Sequence, residues 1–112
     1  MAQFDSPPAM PLYVRDFLGG TSTLHPAERG GYTTLICQQW LGEAVPGDEP
    51  ERLAPLLGCS KAEARRIWAG LAGKFVRRED GLWINRRCER ELLIAQAKSE
   101  IQRAHARRRW RR

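Results

Sequence analysis

The segment LAPLLGCSKAEARRIWAGL, residues 53–71, constrains the fold of this chain more than any other. Two short stretches with helical apolar spacing meet at Gly58, Cys59 and Ser60. A glycine just past a helix ends it in the left-handed conformation at no steric cost. Serine followed three residues later by glutamate, here Ser60 and Glu63, is the reciprocal capping box that opens a new helix. One helix must therefore end and another begin across a turn of about three residues. Pro55 belongs in a first turn, where a missing N–H is tolerated, so the earlier helix is expected from near Arg52 or Leu53. Leu53, Ala54, Leu56 and Leu57 supply its apolar side, and Ala64, Ile67, Trp68 and Leu71 supply that of the second helix. Ala54 lets the helices cross closely, Gly58 allows the turn, and Ala64 and Ile67 fix the second helix on the first. Lys61, Ala62, Arg65, Arg66 and Ala69 are left on the exposed side. This pattern suits a helix-turn-helix that reads DNA, and equally two core helices joined by a tight turn. The rest of the chain has to decide.

The next segment along the chain is KFVRREDGLWINRR, residues 74–87. Asp80-Gly81 is a favoured two-residue hairpin turn, with Phe75, Val76, Leu82, Trp83 and Ile84 in the arms. Lys74, Arg77 and Arg78 precede the turn, and Arg86, Arg87 and Arg90 come after it. Trp83 is expected to pack under the terminal helix. Upstream, HPAERGGYTTLICQQWLGE reads as a helix. Pro26 suits its first position, Glu28 complements the dipole in its first turn, and Tyr32, Leu35, Ile36 and Trp40 form its apolar stripe. Gly30 and Gly31 cost that helix about 1 kcal/mol each, which points to a close approach by a neighbour. Before it, Leu12, Tyr13 and Val14 suggest a short extended segment, and Gly19-Gly20 a break into a Thr/Ser-rich turn. From about Arg87 helical spacing resumes, with Cys88, Leu92, Leu93, Ala95, Ala97 and Ile101 on a weakening apolar face. The expected organisation is a disordered arm over 1–10, a winged-helix-like domain over 11–90, and a helix over 91–112 that frays into an arginine-rich tail. The fold class is mainly α with a small β-hairpin, a winged helix-turn-helix.

Charge distinguishes the two halves. Residues 1–60 hold 3 Lys/Arg and 7 Asp/Glu, and residues 61–112 hold 16 Lys/Arg and 6 Asp/Glu, formally −4 and +10. This asymmetry implies a polyanion partner for the second half, nucleic acid before an anionic membrane surface. A merely solvated basic face is the plain alternative. The three cysteines are far apart and the two histidines do not complement them, so no zinc site is expected. They read as reduced, mostly buried cysteines of a cytosolic protein. The start MAQFDSPPAM lacks the basic and apolar regions of a signal peptide, and no apolar run approaches a membrane span. No Ser-His-Asp set, phosphate-binding glycine loop or HExxH is present, so catalysis finds no support.

Taken together, these segments resemble a known family. MPLYVRDFLGGTSTLHPAERGGYTTLICQQW, GCSKAEARRIWAGLAGKFV and DGLWINRRCERE are similar to the YdaU-type family, the domain of unknown function numbered 1376, common in phages and prophages. The residues that carry the likeness are Met10, Pro11, Tyr13, Val14, Asp16, Phe17, Gly30, Tyr32 and Trp40. Further on they are Leu53, Ala54, Ser60, Phe75, Asp80, Gly81, Asn85 and Arg87. The chain departs from the pattern at His25, where a serine cap is usual, and at Ala64, where tryptophan is frequent. The resemblance implies a winged-helix-like domain with a role in phage DNA replication or its regulation.

Nucleic-acid binding is therefore the expected function. Lys61, Arg65 and Arg66 would sit on a recognition helix, and Lys74, Arg77, Arg78, Arg86 and Arg87 on or beside the wing. Arg107, Arg108, Arg109, Arg111 and Arg112 around Trp110 would add affinity without sequence preference. DNA is the expected partner, duplex more than single strand, in the cytoplasm of a bacterial host. No cofactor and no enzymatic activity are expected. The alternative is an adaptor that recruits replisome or host proteins, motivated by four tryptophans and the acidic first half, with the basic tail binding only non-specifically.

Overall fold

The computed structural model of the chain describes residues 7–110. Its elements are α1 (Val14–Thr21), α2 (Pro26–Trp40), α3 (Pro50–Leu57), α4 (Lys61–Leu71), a 3₁₀ turn (Ala72–Lys74), β1 (Val76–Arg77), β2 (Trp83–Ile84) and α5 (Arg86–Trp110). The protein is mainly helical with one small antiparallel hairpin, as the apolar periodicities indicate.

Three helix starts are local in origin. At Ser60 the hydroxyl accepts from Glu63 N–H at 3.1 Å and the Glu63 carboxylate accepts from Ser60 N–H at 3.2 Å, closing the capping box. His25 does the same service for α2. Its Nδ1 accepts from Ala27 N–H at 3.2 Å, and its own N–H donates to Glu28 at 2.9 Å. Asn85 opens α5, its Oδ1 accepting from Cys88 N–H at 2.9 Å. Gly58 ends α3 at φ +73°, with its N–H and that of Cys59 both donating to the Ala54 carbonyl.

The core lies where α2, α3 and α4 meet. Leu35, Ile36 and Trp40 from α2 pack with Leu53 and Ala54 from α3 and with Ala64, Trp68 and Leu71 from α4. Val45, Phe75 and Cys88 close it from the loops and from α5. Each fully buried aliphatic side chain here contributes about 1.5–3 kcal/mol of hydrophobic stabilisation. A Cβ at Gly31 would sit 2.7 Å from Ile67 Cγ2, so glycine permits the close passage of α2 over α4. A Cβ at Gly30 would meet nothing within 4 Å, so the close approach expected for the pair belongs to Gly31 alone.

Several expectations are corrected. The extended segment expected over Leu12, Tyr13 and Val14 gives way at Val14 to a helix, and in place of the expected break α1 runs through Gly19 and Gly20. Long-range contacts offset their low propensity. Asp16 pairs with Arg87 at 2.7 Å, the Phe17 ring lies 6.3 Å from that of Tyr32, and Arg29 donates to the Thr21 carbonyl at 3.1 Å. Next, α3 begins at Pro50, so Pro55 is inside it instead of in its first turn. The carbonyl that Pro55 leaves without an N–H partner is that of exposed Glu51, which water can reach. The hairpin turn has three residues, not two. Val76 pairs with Ile84 and Arg77 with Trp83, Arg78 N–H donates to Leu82 O at 2.7 Å, and Gly81 takes φ +86°. That is the type I turn with a left-handed glycine that closes three-residue loops.

Trp83 does not pack under α5. Its ring lies edge-on to Trp68 of α4 at 5.2 Å, and its Nε1–H donates to Asp48 at 3.2 Å. Of the three cysteines only Cys88 is buried, while Cys37 is exposed. Within the arm expected over 1–10, the Pro7 carbonyl accepts from Trp40 Nε1 at 2.8 Å and Met10 packs against the core. Residues 1–6 of that arm lie outside the described residues.

Candidate nucleic-acid interface

The face of α4 opposite the core carries Lys61, Ala62, Arg65, Arg66 and Ala69, all exposed. Its other face is fixed by Ala64 and Leu71, both wholly buried, and by Trp68. A Cβ on Gly47 would overlap the Trp68 ring at 2.1 Å, so the loop before α3 presses directly on the base of α4. These contacts hold α4 as a rigid rod with its cations outward. Lys61, Arg65 and Arg66 make no ion pair among the described residues. The single acid of that helix, Glu63, is held below the ordinary carboxylate value of 4.5 by hydrogen bonds from the Ser60 backbone and hydroxyl, with nearby Arg66 adding to the effect.

The hairpin stands beside this helix. Val45, in the loop between α2 and α3, exchanges both backbone hydrogen bonds with Trp83 at 2.8 Å, so the two-stranded ladder gains a third edge. The chain order is thus helix, bridging residue, helix, helix, hairpin. The hairpin's arginines differ from those of α4. Arg77 pairs with Asp48 at 3.5 Å, and Arg78 pairs with Asp80 in the turn itself. Arg78 and the Leu82 N–H together hold the Asp80 carboxyl below its usual range. Asp48 also receives the Trp83 indole, so one carboxylate tethers both strands to the loop before α3.

Three further candidates are also placed. Lys74 is half-buried, and its carbonyl accepts from Asn85 Nδ2 at 3.0 Å. Arg87 is turned inward on α1, bonded to Asp16 and lying 5.4 Å from the centre of the Tyr13 ring. Arg86, its neighbour on α5, is exposed and makes no ion pair among the described residues. Farther along α5, the packing against the core ends at Ala95. The helix continues to Trp110, carrying exposed Arg107, Arg108 and Arg109. Twenty-five residues of α-helix span about 37 Å. The arginines are thereby held well away from the core on a regular helix over its described length. Arg111 and Arg112 lie outside the described residues.

Apart from half-buried Lys74, the described candidate cations thus fall into two groups. Lys61, Arg65, Arg66, Arg86, Arg107, Arg108 and Arg109 are available to a polyanion, and Arg77, Arg78 and Arg87 already hold carboxylates. The acids that make this division, Asp16, Asp48 and Asp80, were not singled out by sequence reasoning for this role. Only Asp80 could have been, since its partner is two residues away. Gln39 was also missed, and Asn85 entered only as part of the family likeness. The Gln39 amide bonds both backbone groups of Asn85, at 2.7 and 2.8 Å, in the buried joint of α2 with α5.

Among the described residues no group of three or more potential ligands could hold a metal ion, and no helix is long and apolar enough to cross a membrane. Burial pushes the Cys88 thiol up to about 12, which keeps it protonated. No curated protein and no solved structure matches the chain. One family model does, over residues 8–92, from the packed start of the fold to the first turns of α5. The chain belongs to that family, described as protein of unknown function (DUF1376).

Proposed function

We propose that this protein binds DNA as a winged helix-turn-helix module, with α4 in the major groove and the hairpin as the wing. The observation that carries the reading is the unpaired basic face of α4. Lys61 and Arg65 are one turn apart on it and repel each other without a polyanion. Phosphates relieve that repulsion, and arginine can also bond guanine bidentately. The order of helix, bridging residue, helix, helix and hairpin supports the winged arrangement. The hairpin arginines are already neutralised, so the wing contributes shape and position more than charge. The likeness to YdaU-type proteins supports a phage or prophage setting, with a role in replication or its regulation in the bacterial cytoplasm.

Mobility shift of the full chain on duplex and single-stranded oligonucleotides, between about 50 and 200 mM salt, tests the reading. The expected result is duplex binding that weakens steeply with salt. Replacing Arg65 and Arg66 together by alanine should reduce the salt slope by about two where they contact phosphates, and relax sequence preference where they contact bases. Absence of binding to either nucleic acid at the lowest salt overturns the proposal. A second reading, the adaptor, is favoured by one specific observation. Leu12 and Tyr13 are exposed where they line a cavity on the α1 side of the molecule, and Val14 and Leu18 are exposed on α1 itself.

A further inference from the structure

We infer that α5 carries a self-association surface, on which the α5 of a second copy of this chain lies antiparallel. The starting observation is a helix with two apolar faces. Cys88, Leu92 and Ala95 pack on the core. At about 100° per residue, Leu93, Ile94, Ala97, Ile101 and Ala104 fall on the opposite side. Leu93, Ile94 and Ile101 are 60%, 46% and 55% exposed there. A helix that buries only one face carries polar residues on the other, so this second stripe calls for an occupant.

The spacing names that occupant. Ile94, Ala97, Ile101 and Ala104 recur at the a and d positions of a heptad, the seam of a coiled coil. Large and small residues alternate along it, and the alternation matches itself about a two-fold at the level of Ser99. An antiparallel copy sets Ile94 opposite the other copy's Ala104, and Ala97 opposite its Ile101. The two-fold then repeats both layers, as an isologous interface requires. Each layer joins one isoleucine to one alanine, so the facing surfaces interdigitate. A parallel copy would set isoleucine on isoleucine and alanine on alanine, with gaps at the alanines. Charge selects the same direction. The helix ends in Arg107, Arg108 and Arg109, whereas the free charges of its first turns cancel, Arg86 and Arg90 against Glu89 and Glu91, with Arg87 held by Asp16. Parallel copies would bring the arginine ends together, and antiparallel copies bring each to a neutral segment. Like charges remain at the edges. Arg90 comes level with Arg108 of the other copy, and Lys98 and Glu100 approach their own equivalents near the two-fold. All four residues are exposed, so salt screens their repulsion. The association therefore strengthens as salt rises, the reverse of DNA binding.

Sedimentation of the full chain without nucleic acid tests the inference, so its result is independent of the DNA reading. Wild type should pass from monomer to dimer between about 1 µM and about 1 mM, at lower concentration as salt rises. Ala97→Glu and Ile101→Lys should each raise the dimer dissociation constant at least tenfold. Both positions are exposed, so the circular dichroism of the monomer should be unchanged. Mixed together, the two variants should pair again, because the antiparallel register sets position 97 of one copy against position 101 of the other. A parallel pair gives no such rescue, since position 97 then meets 97 and 101 meets 101. Should one variant fail to fold, the other decides whether the stripe is the contact. A monomer at every concentration overturns the inference, because the stripe then belongs to a partner of another kind. A dimer that the variants leave intact overturns it as well, and so does a mixture of the folded variants that stays monomeric.

Discussion

Asn85 uses every polar group it has. Its Nδ2 donates to the Lys74 carbonyl and reaches the Tyr32 hydroxyl, its Oδ1 caps α5, and its backbone N–H and carbonyl meet Gln39. The residue is 6% exposed, and its bonds to Gln39 and to the Cys88 N–H are buried, so water is no ready substitute there. Asn85→Ala removes the buried cap and leaves the part-buried Lys74 carbonyl without its donor, while leaving the Gln39 bonds intact. The loss should be about 2–3 kcal/mol. For a domain of this size that lowers the melting temperature by roughly 10–20 °C, measurable by circular dichroism. Asn85→Asp keeps the cap oxygen and loses the Nδ2 donor, so its melting temperature should fall between the two. The Gln39 amide and the Tyr32 hydroxyl meet Asn85 at the same joint, so this buried polar residue sits in a bonded polar cluster at the edge of the apolar core.

At the level of elements, legibility tracked the range of the interactions. The start of α4 could be read because Ser60 and Glu63 satisfy each other across one turn. The end of α3 could be read because Gly58 needs nothing but its own backbone freedom. The helix α1 could not, since what overcomes Gly19 and Gly20 is a partner 71 residues away from Asp16, Arg87. The same distance hid the true state of the basic candidates. A sequence shows arginines at 77 and 87 but not Asp48 and Asp16 beside them. The placement of Trp83 against Trp68 likewise depends on the Val45 bridge, which no local spacing signals. The local origin of α4 also gives it a pH dependence. The Glu63 carboxyl is depressed on folding, so its stabilising effect is complete above the ordinary carboxylate value of 4.5 and is lost as pH falls through the lower folded value. Thermal melts from neutral pH down to about pH 3 should show wild type losing more stability than Glu63→Gln over the acid part of that range. Parallel curves for the two proteins would mean that the cap bond carries no charge-dependent stabilisation.

For the whole molecule the central question is how a +10 second half is used. The protein extends 60 Å along its longest axis against 31 and 24 Å across, and α5 beyond Ala95 has no core to pack on. An isolated helix of that composition is marginal in water, and its like charges oppose it further. Phosphate contact would stabilise it by releasing counterions, about 0.9 in the logarithmic salt slope for each phosphate neutralised. Replacing Arg107, Arg108 and Arg109 together by alanine should thus lower the salt slope of duplex binding by about two to three. The loss should be equal for every sequence tested, because phosphate contacts carry no base information. Melting temperature should not fall, since all three side chains are exposed and alanine favours helix. The contrast with the Arg65 and Arg66 pair separates the two basic elements. One should set affinity and its salt dependence, and the other should set which sequence is preferred. An unchanged slope in the tail variant would assign the tail's charge to solubility and leave the contact to α4 and Arg86.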